Sequence, residues 1–181
     1  MDAAVARPQS MVRAWDLPTR VFHWTLVFLM ISAWVSFRYA ERVGDLTLLW
    51  HRWNGYAILV LLVWRVLWGV AGSSTARFST FVRPPWQAIG YALALAKGKP
   101  RHYLGHNPLG SWMVLGLLAV VGLQGVLGLF TVEHNDIAWG PLYRLVSEAT
   151  YKTITGWHIW LFYWVILPLI GIHIAANALY G

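Results

Sequence analysis

The chain has 181 residues, of which 58% are hydrophobic and 12% charged, with a net charge of +7 at pH 7 and no cysteine. A soluble domain carries about a quarter charged residues, so the composition points to a membrane; 13 tryptophans and 8 tyrosines suit two membrane–water interfaces. The lack of cysteine excludes disulfides, thiolate metal sites, iron–sulfur clusters and covalent haem attachment through a Cys-x-x-Cys-His run.

In chain order, the first long apolar stretch covers about residues 21–39 (VFHWTLVFLMISAWVSFRY). It is expected to be retained as a span, being too long for a signal peptide and lacking a small-residue cleavage site after it. The second covers about 50–71. A shorter stretch, 86–96 (WQAIGYALALA), follows Pro84-Pro85 and ends at Lys97-Gly98-Lys99-Pro100. It is too short to span and is predicted to be a helix lying at the interface. The third span covers about 111–131 and the fourth about 153–179. Each span has roughly the 20 apolar residues that a membrane helix needs. Their internal Gly122, Gly125 and Pro168 are better tolerated in lipid than in water. The predicted fold is all-α, a single integral-membrane four-helix bundle over residues 1–181, with no internal repeat or low-complexity segment.

Orientation follows from the basic residues. Arg7, Arg13, Arg20, Arg77, Arg83, Lys97, Lys99 and Arg101 fall on one side, and Arg38, Arg42, Arg52, Arg144 and Lys152 on the other. The excess predicts both termini in the cytoplasm of a bacterium. It also sets the basic surface against anionic lipid, so the charge implies no nucleic-acid partner.

Four histidines carry the chemistry. His23 opens the first span, His51 the second, and His158 and His173 lie at the two ends of the fourth. With alternating spans, His23 and His173 share one depth, and His51 and His158 the other. The 15 residues from His158 to His173 cover roughly 22 Å of α-helix and leave the two about 60° apart around it. One helix can thus offer a ligand near each membrane face. A single histidine in a span often only hydrogen-bonds to a neighbouring helix, but four at matched depths point to two bis-histidine haem b groups, each between facing helices. His102, His106 and His134 lie in loops and are predicted to be solvated. A porphyrin needs a flat slot, which Gly55, one turn beyond His51, and Gly116, Gly122, Gly125 and Gly128 of the third span could supply; plain helix packing through small residues is the competing reading. Arg65, roughly 21 Å along the axis from His51, reaches the cytoplasmic histidine level. There it could pair with a haem propionate or a quinone oxygen, or snorkel to the headgroups.

Several motifs resemble a known family. W-D-L-P-T-R-V-F-H-W (15–24), W-H-R-W-N-G-Y (50–56), W-R-V-L-W-G-V-A-G-S (64–73), A-R-F-S-T-F-V (76–82), G-H-N-P-L-G (105–110) and W-H…G-I-H-I-A-A-N (157–177) are similar to those of the bacterial cytochrome b561 and Ni,Fe-hydrogenase cytochrome b superfamily. The resemblance covers nearly the whole chain. It implies that His23, His51, His158 and His173 ligate two b haems. The chain stops almost at its fourth span, without the basic tail common in such relatives.

The function expected is electron carriage across the cytoplasmic membrane between the quinone pool and a periplasmic redox protein. The resemblance implies a hydrogenase-like enzyme, a c-type cytochrome or quinone alone as partners. Two alternatives compete. A superoxide:quinone oxidoreductase would want a positive funnel at the outer face, yet the charges of the outer loops nearly cancel. A transition-metal transporter would want its ligands near the midplane.

Overall fold

The computed structural model describes residues 15–43, 46–99, 103, 107–133 and 138–180. His102, His106 and His134 lie outside them. The chain is helical almost throughout: α1 Leu17–Arg38, α2 Ala40–Val43, α3 Leu46–Ala71, α4 Phe78–Phe81, α5 Pro85–Ala96, α6 Pro108–Gly128, α7 Glu148–Leu161 and α8 Leu167–Tyr180. Four helical runs are long and apolar enough to cross a membrane: 17–38, 48–71, 108–128 and 148–179. The last comprises α7, a π-helical turn at Phe162–Ile166 and α8. The protein is a multi-pass membrane four-helix bundle.

Helix starts follow capping chemistry more closely than hydropathy. Asn107 caps α6, its side-chain oxygen accepting from Gly110 N at 2.7 Å, and Pro108 occupies the first turn, where its missing N–H costs nothing. The third span therefore begins at 108 and ends at 128, three residues earlier at each end than hydropathy suggests. Ser147 likewise caps α7, accepting from Thr150 N, and Glu148 suits the positive end of the helix dipole. The fourth helix thus starts five residues before the apolar stretch.

The ends of α1 and α3 share one clamp. Asp16 caps α1 with one oxygen, which accepts from Thr19 N at 3.0 Å. Its other oxygen accepts from Trp68 Nε1 at 3.0 Å and Ser73 Oγ at 2.6 Å. Burial pushes the Asp16 carboxyl up, but hydrogen bonds from Ser73, Thr19 and Trp68 outweigh it and hold the group at about 2. The carboxylate stays charged at neutral pH and fixes the first span against the second. Midway along the same interface Asn54 Nδ2 donates to Ser32 Oγ at 2.9 Å.

Helix α5 ends in a Schellman motif. Lys99 N bonds to Ala94 O and Gly98 N to Leu95 O, with Gly98 at φ 68°. Ala88 and Tyr91 are buried, and α5 packs beside α6. Trp86, Ile89 and Leu93, spaced three and four apart, face outward. An apolar outer face on a helix too short to span is the arrangement expected at a membrane interface.

The core of the bundle joins Phe22, Ile58, Leu62, Val121, Leu161 and Ile166. Outward faces are apolar as well: Phe28, Val60 and Trp164 are all largely exposed. That pattern suits lipid and would be an aggregation liability in water. One feature lay outside the expected all-helical layout. Val132–Glu133 pairs antiparallel with Ala138–Trp139, a two-residue ribbon between α6 and α7.

Candidate haem-binding site

The bundle brings the four histidines together in two pairs. The His51 and His158 ring centres lie 6.3 Å apart with planes at 87°; those of His23 and His173 lie 6.2 Å apart with planes at 49°. Two imidazole nitrogens each about 2 Å from one metal put ring centres about 6 Å apart. Both pairs have the spacing that two imidazoles would take if they shared one metal ion. Among the described residues no three His, Asp or Glu side chains gather into a metal-binding cluster, so the histidines meet two by two.

Local bonds prepare the first pair for ligation. His51 Nδ1 lies 2.8 Å from Ala33 O, and His158 Nδ1 lies 3.0 Å from Gln124 O. A carbonyl only accepts, so each Nδ1 carries the proton and each Nε2 keeps its lone pair. Metal-binding histidines are commonly oriented this way, with one ring nitrogen held by a backbone oxygen. The Gln124 amide lies 3.2 Å from His158 Nε2, the position that a metal would take. Gln124 carried no signal in the sequence, because its role depends on both its carbonyl and its side chain meeting one ring across two helices.

Around this pair runs a cleft with about 1150 Å³ of empty space, its open mouth included. Trp34, Phe37, Arg52, Gly55, Gln124 and Gly128 are among the residues lining it. A Cβ on Gly55 would meet no other atom within 4 Å, so Gly55 faces open space. A Cβ on Gly128 would stand 3.2 Å from His158 Cε1, so that glycine lets the imidazole approach the third span. Gly125 lines the cleft too while accommodating Leu59, and Gly116 faces no neighbour. Arg52, beside His51, has its guanidinium 5.9 Å from the Trp139 ring, and its Nε is buried without a partner. In the sequence it looked like one more basic residue of the outer side.

The His23–His173 pair is more open: His23 is exposed and His173 half-buried. Nearby, Arg65 does not snorkel. It is 3% exposed, and its Nη2 donates to Ala76 O at 3.3 Å. Its guanidinium lies 4.8 Å from the Phe78 ring and 5.9 Å from that of Phe22. Its Nη1 is buried with no partner. Trp64 stacks on Trp68 at 5.6 Å and on Phe22 at 6.1 Å, which builds an aromatic wall beside it.

The phase between His158 and His173 differs from the α-helical value. Within 162–166 Leu167 N bonds to Phe162 O, five residues back rather than four. Such a turn takes in one extra residue, so the 15-residue spacing acts as about 14. The histidines then stand about 40° apart in the opposite sense instead of about 60°.

Four membrane-length helices closing around paired histidines place the chain among membrane b-type cytochromes that transfer electrons. A family model described as prokaryotic cytochrome b561 matches residues 14–181, and the chain belongs to that family. Its relatives include proteins named probable Ni/Fe-hydrogenase B-type cytochrome subunit. The one from Azotobacter chroococcum mcd 1 is 24% identical over 202 residues, covering 94% of this chain and 82% of the relative. The one from Azotobacter vinelandii is 23% identical with the same coverage. No solved structure matches the chain. The family implies haem b as cofactor.

Proposed function

We propose that the protein binds two b haems and carries electrons across the bacterial cytoplasmic membrane between a periplasmic redox partner and quinone, with both termini in the cytoplasm. The observation that carries this reading is the two histidine pairs, each about 6 Å between ring centres and supplied at different levels by the same fourth helix. Haem b, when bound, supplies iron that gains and loses one electron. The chain supplies the rest. His51 and His158 hold their lone pairs ready through backbone carbonyls. The apolar walls exclude water, and Arg52 offers a cation at the cleft wall to a haem carboxylate. The relatives' names favour a hydrogenase-like partner, with a c-type cytochrome as the other candidate.

The quinone site is assigned to the level of His23 and His173. Its support is the aromatic wall of Phe22, Trp64 and Trp68 and the unpartnered Nη1 of Arg65. Arg65→Leu is expected to slow oxidation of the reduced protein by a short-chain quinone about tenfold or more, the worth of one hydrogen bond to a charged group. Both haems should remain, and electron entry from outside should be intact. Arg65→Lys should restore the rate only in part, since an ammonium lacks the planar fork. Unchanged quinone kinetics with a shifted haem potential would make Arg65 a propionate partner. Unchanged values of both would leave it as the clamp on Ala76 and Phe78.

A further inference from the structure

We propose that the π-turn at Phe162–Ile166 is a phase-setting device: it holds one extra residue between His158 and His173 so that a single helix faces both partner histidines. The inference rests on the two-haem reading above. Three observations support it. The turn lies wholly between the two histidines of the fourth span. Its fully buried Ile166 anchors it in the bundle core, while Trp164 projects outward at 70% exposure. Both histidine pairs close to nearly the same spacing, 6.2 and 6.3 Å, with the turn in place.

The local cause is Pro168. A proline ring collides with the carbonyl four residues back, here that of Trp164, and offers no N–H to it. Widening the preceding turn moves that carbonyl aside and lets the helix continue in lipid, where a broken backbone bond would be costly. The consequence is geometric. Each residue turns an α-helix by about 100°. Without the wide turn, His173 would swing by that amount relative to His158. His158 must meet His51 on α3 while His173 meets His23 on α1, so the swing would break either pair whenever the other is made. Trp164 is 70% exposed and lies outside the packed core. It is the extra residue, in the sense that the turn can close without it.

A one-residue deletion should therefore be tolerated here and a one-residue insertion should not, the reverse of what a regular helix would show. Deleting Trp164 together with Pro168→Ala, which removes the local cause of the wide turn, should let it relax to α-helix and keep both haems per chain, with two unchanged spectral components. Inserting one alanine after Trp164 should remove the His23–His173 haem and leave the other, because His51 and His158 are each held by a backbone carbonyl while His23 and His173 sit in a more open setting. Loss of the His23–His173 haem from this deletion variant, or its retention in the insertion variant, would overturn the proposal. A haem-independent readout separates it from the ligation reading. The chain has no cysteine, so the pair His23→Cys and His173→Cys can be cross-linked with a short bis-maleimide in each background. Cross-linking should persist on deletion and fail on insertion, whatever the haem content. If wild-type protein held fewer than two haems while the cross-links followed this pattern, the ligation reading would fall and the phase would stand. Cross-linking that failed on deletion, or persisted on insertion, would overturn the phase.

Discussion

Replacing His51 or His158 with alanine is expected to remove one and the same haem, while replacing His23 or His173 removes the other. Each variant should keep about half of the wild-type haem if, as proposed, each of two irons takes one imidazole from each of two helices. The geometry supporting this is the closeness of the rings, 6.3 Å for one pair and 6.2 Å for the other. The pairs differ enough to be told apart. One has its rings at 87° and both Nδ1 atoms on carbonyls; the other has its rings at 49° and a more open setting. Low-temperature absorption spectra should then resolve two components, one lost per pair of variants. Loss of the same component from His23→Ala and His158→Ala would show that the pairing is wrong.

Two glycines provide the second large contrast. Neither Gly55 nor Gly116 has a neighbour within 4 Å of where a Cβ would stand. Only Gly55 lines the cleft beside His51. If a porphyrin fills that cleft, Gly55→Leu places four carbons where the ring edge must go, while the protein alone has room for them. Overpacking typically costs about 1–3 kcal/mol, and each 1.4 kcal/mol is about tenfold in affinity. Occupancy of the His51–His158 haem should drop by about tenfold or more under limiting haem, with the helical signal and the other haem retained. Gly116→Leu should change neither haem. Equal haem content in Gly55→Leu and wild type, measured by titration of the purified apoprotein, would remove Gly55 from the slot.

Much of the fold could be read along the chain because membrane helices announce themselves by length and composition. The four membrane-length helices, the short helix between the second and third, and the pairing of His23 with His173 and of His51 with His158 all follow from that one-dimensional record. What the sequence concealed depends on contacts between distant residues. The Asp16 carboxylate joins residues 52 and 57 positions away, Trp68 and Ser73. Gln124 meets His158 from another helix. For Arg65 the sequence left pairing with a propionate or quinone and snorkelling to the headgroups both open, and only the return of the chain past Ala76 and Phe78 encloses it. Helix starts were displaced because Asn107 and Ser147 are capping residues outside the apolar runs. The π-turn had a local cause in Pro168, yet proline alone specifies a disturbance, not whether the helix kinks or widens.

The most direct measurement is the number and attachment of haems in the purified protein. A pyridine haemochromogen assay against protein concentration should give about two haems b per polypeptide, one for each histidine pair. Acid–acetone should extract all of it, since no cysteine is present to hold a vinyl group. A ratio of one, or haem that stays with the polypeptide after extraction, would contradict the two-centre arrangement.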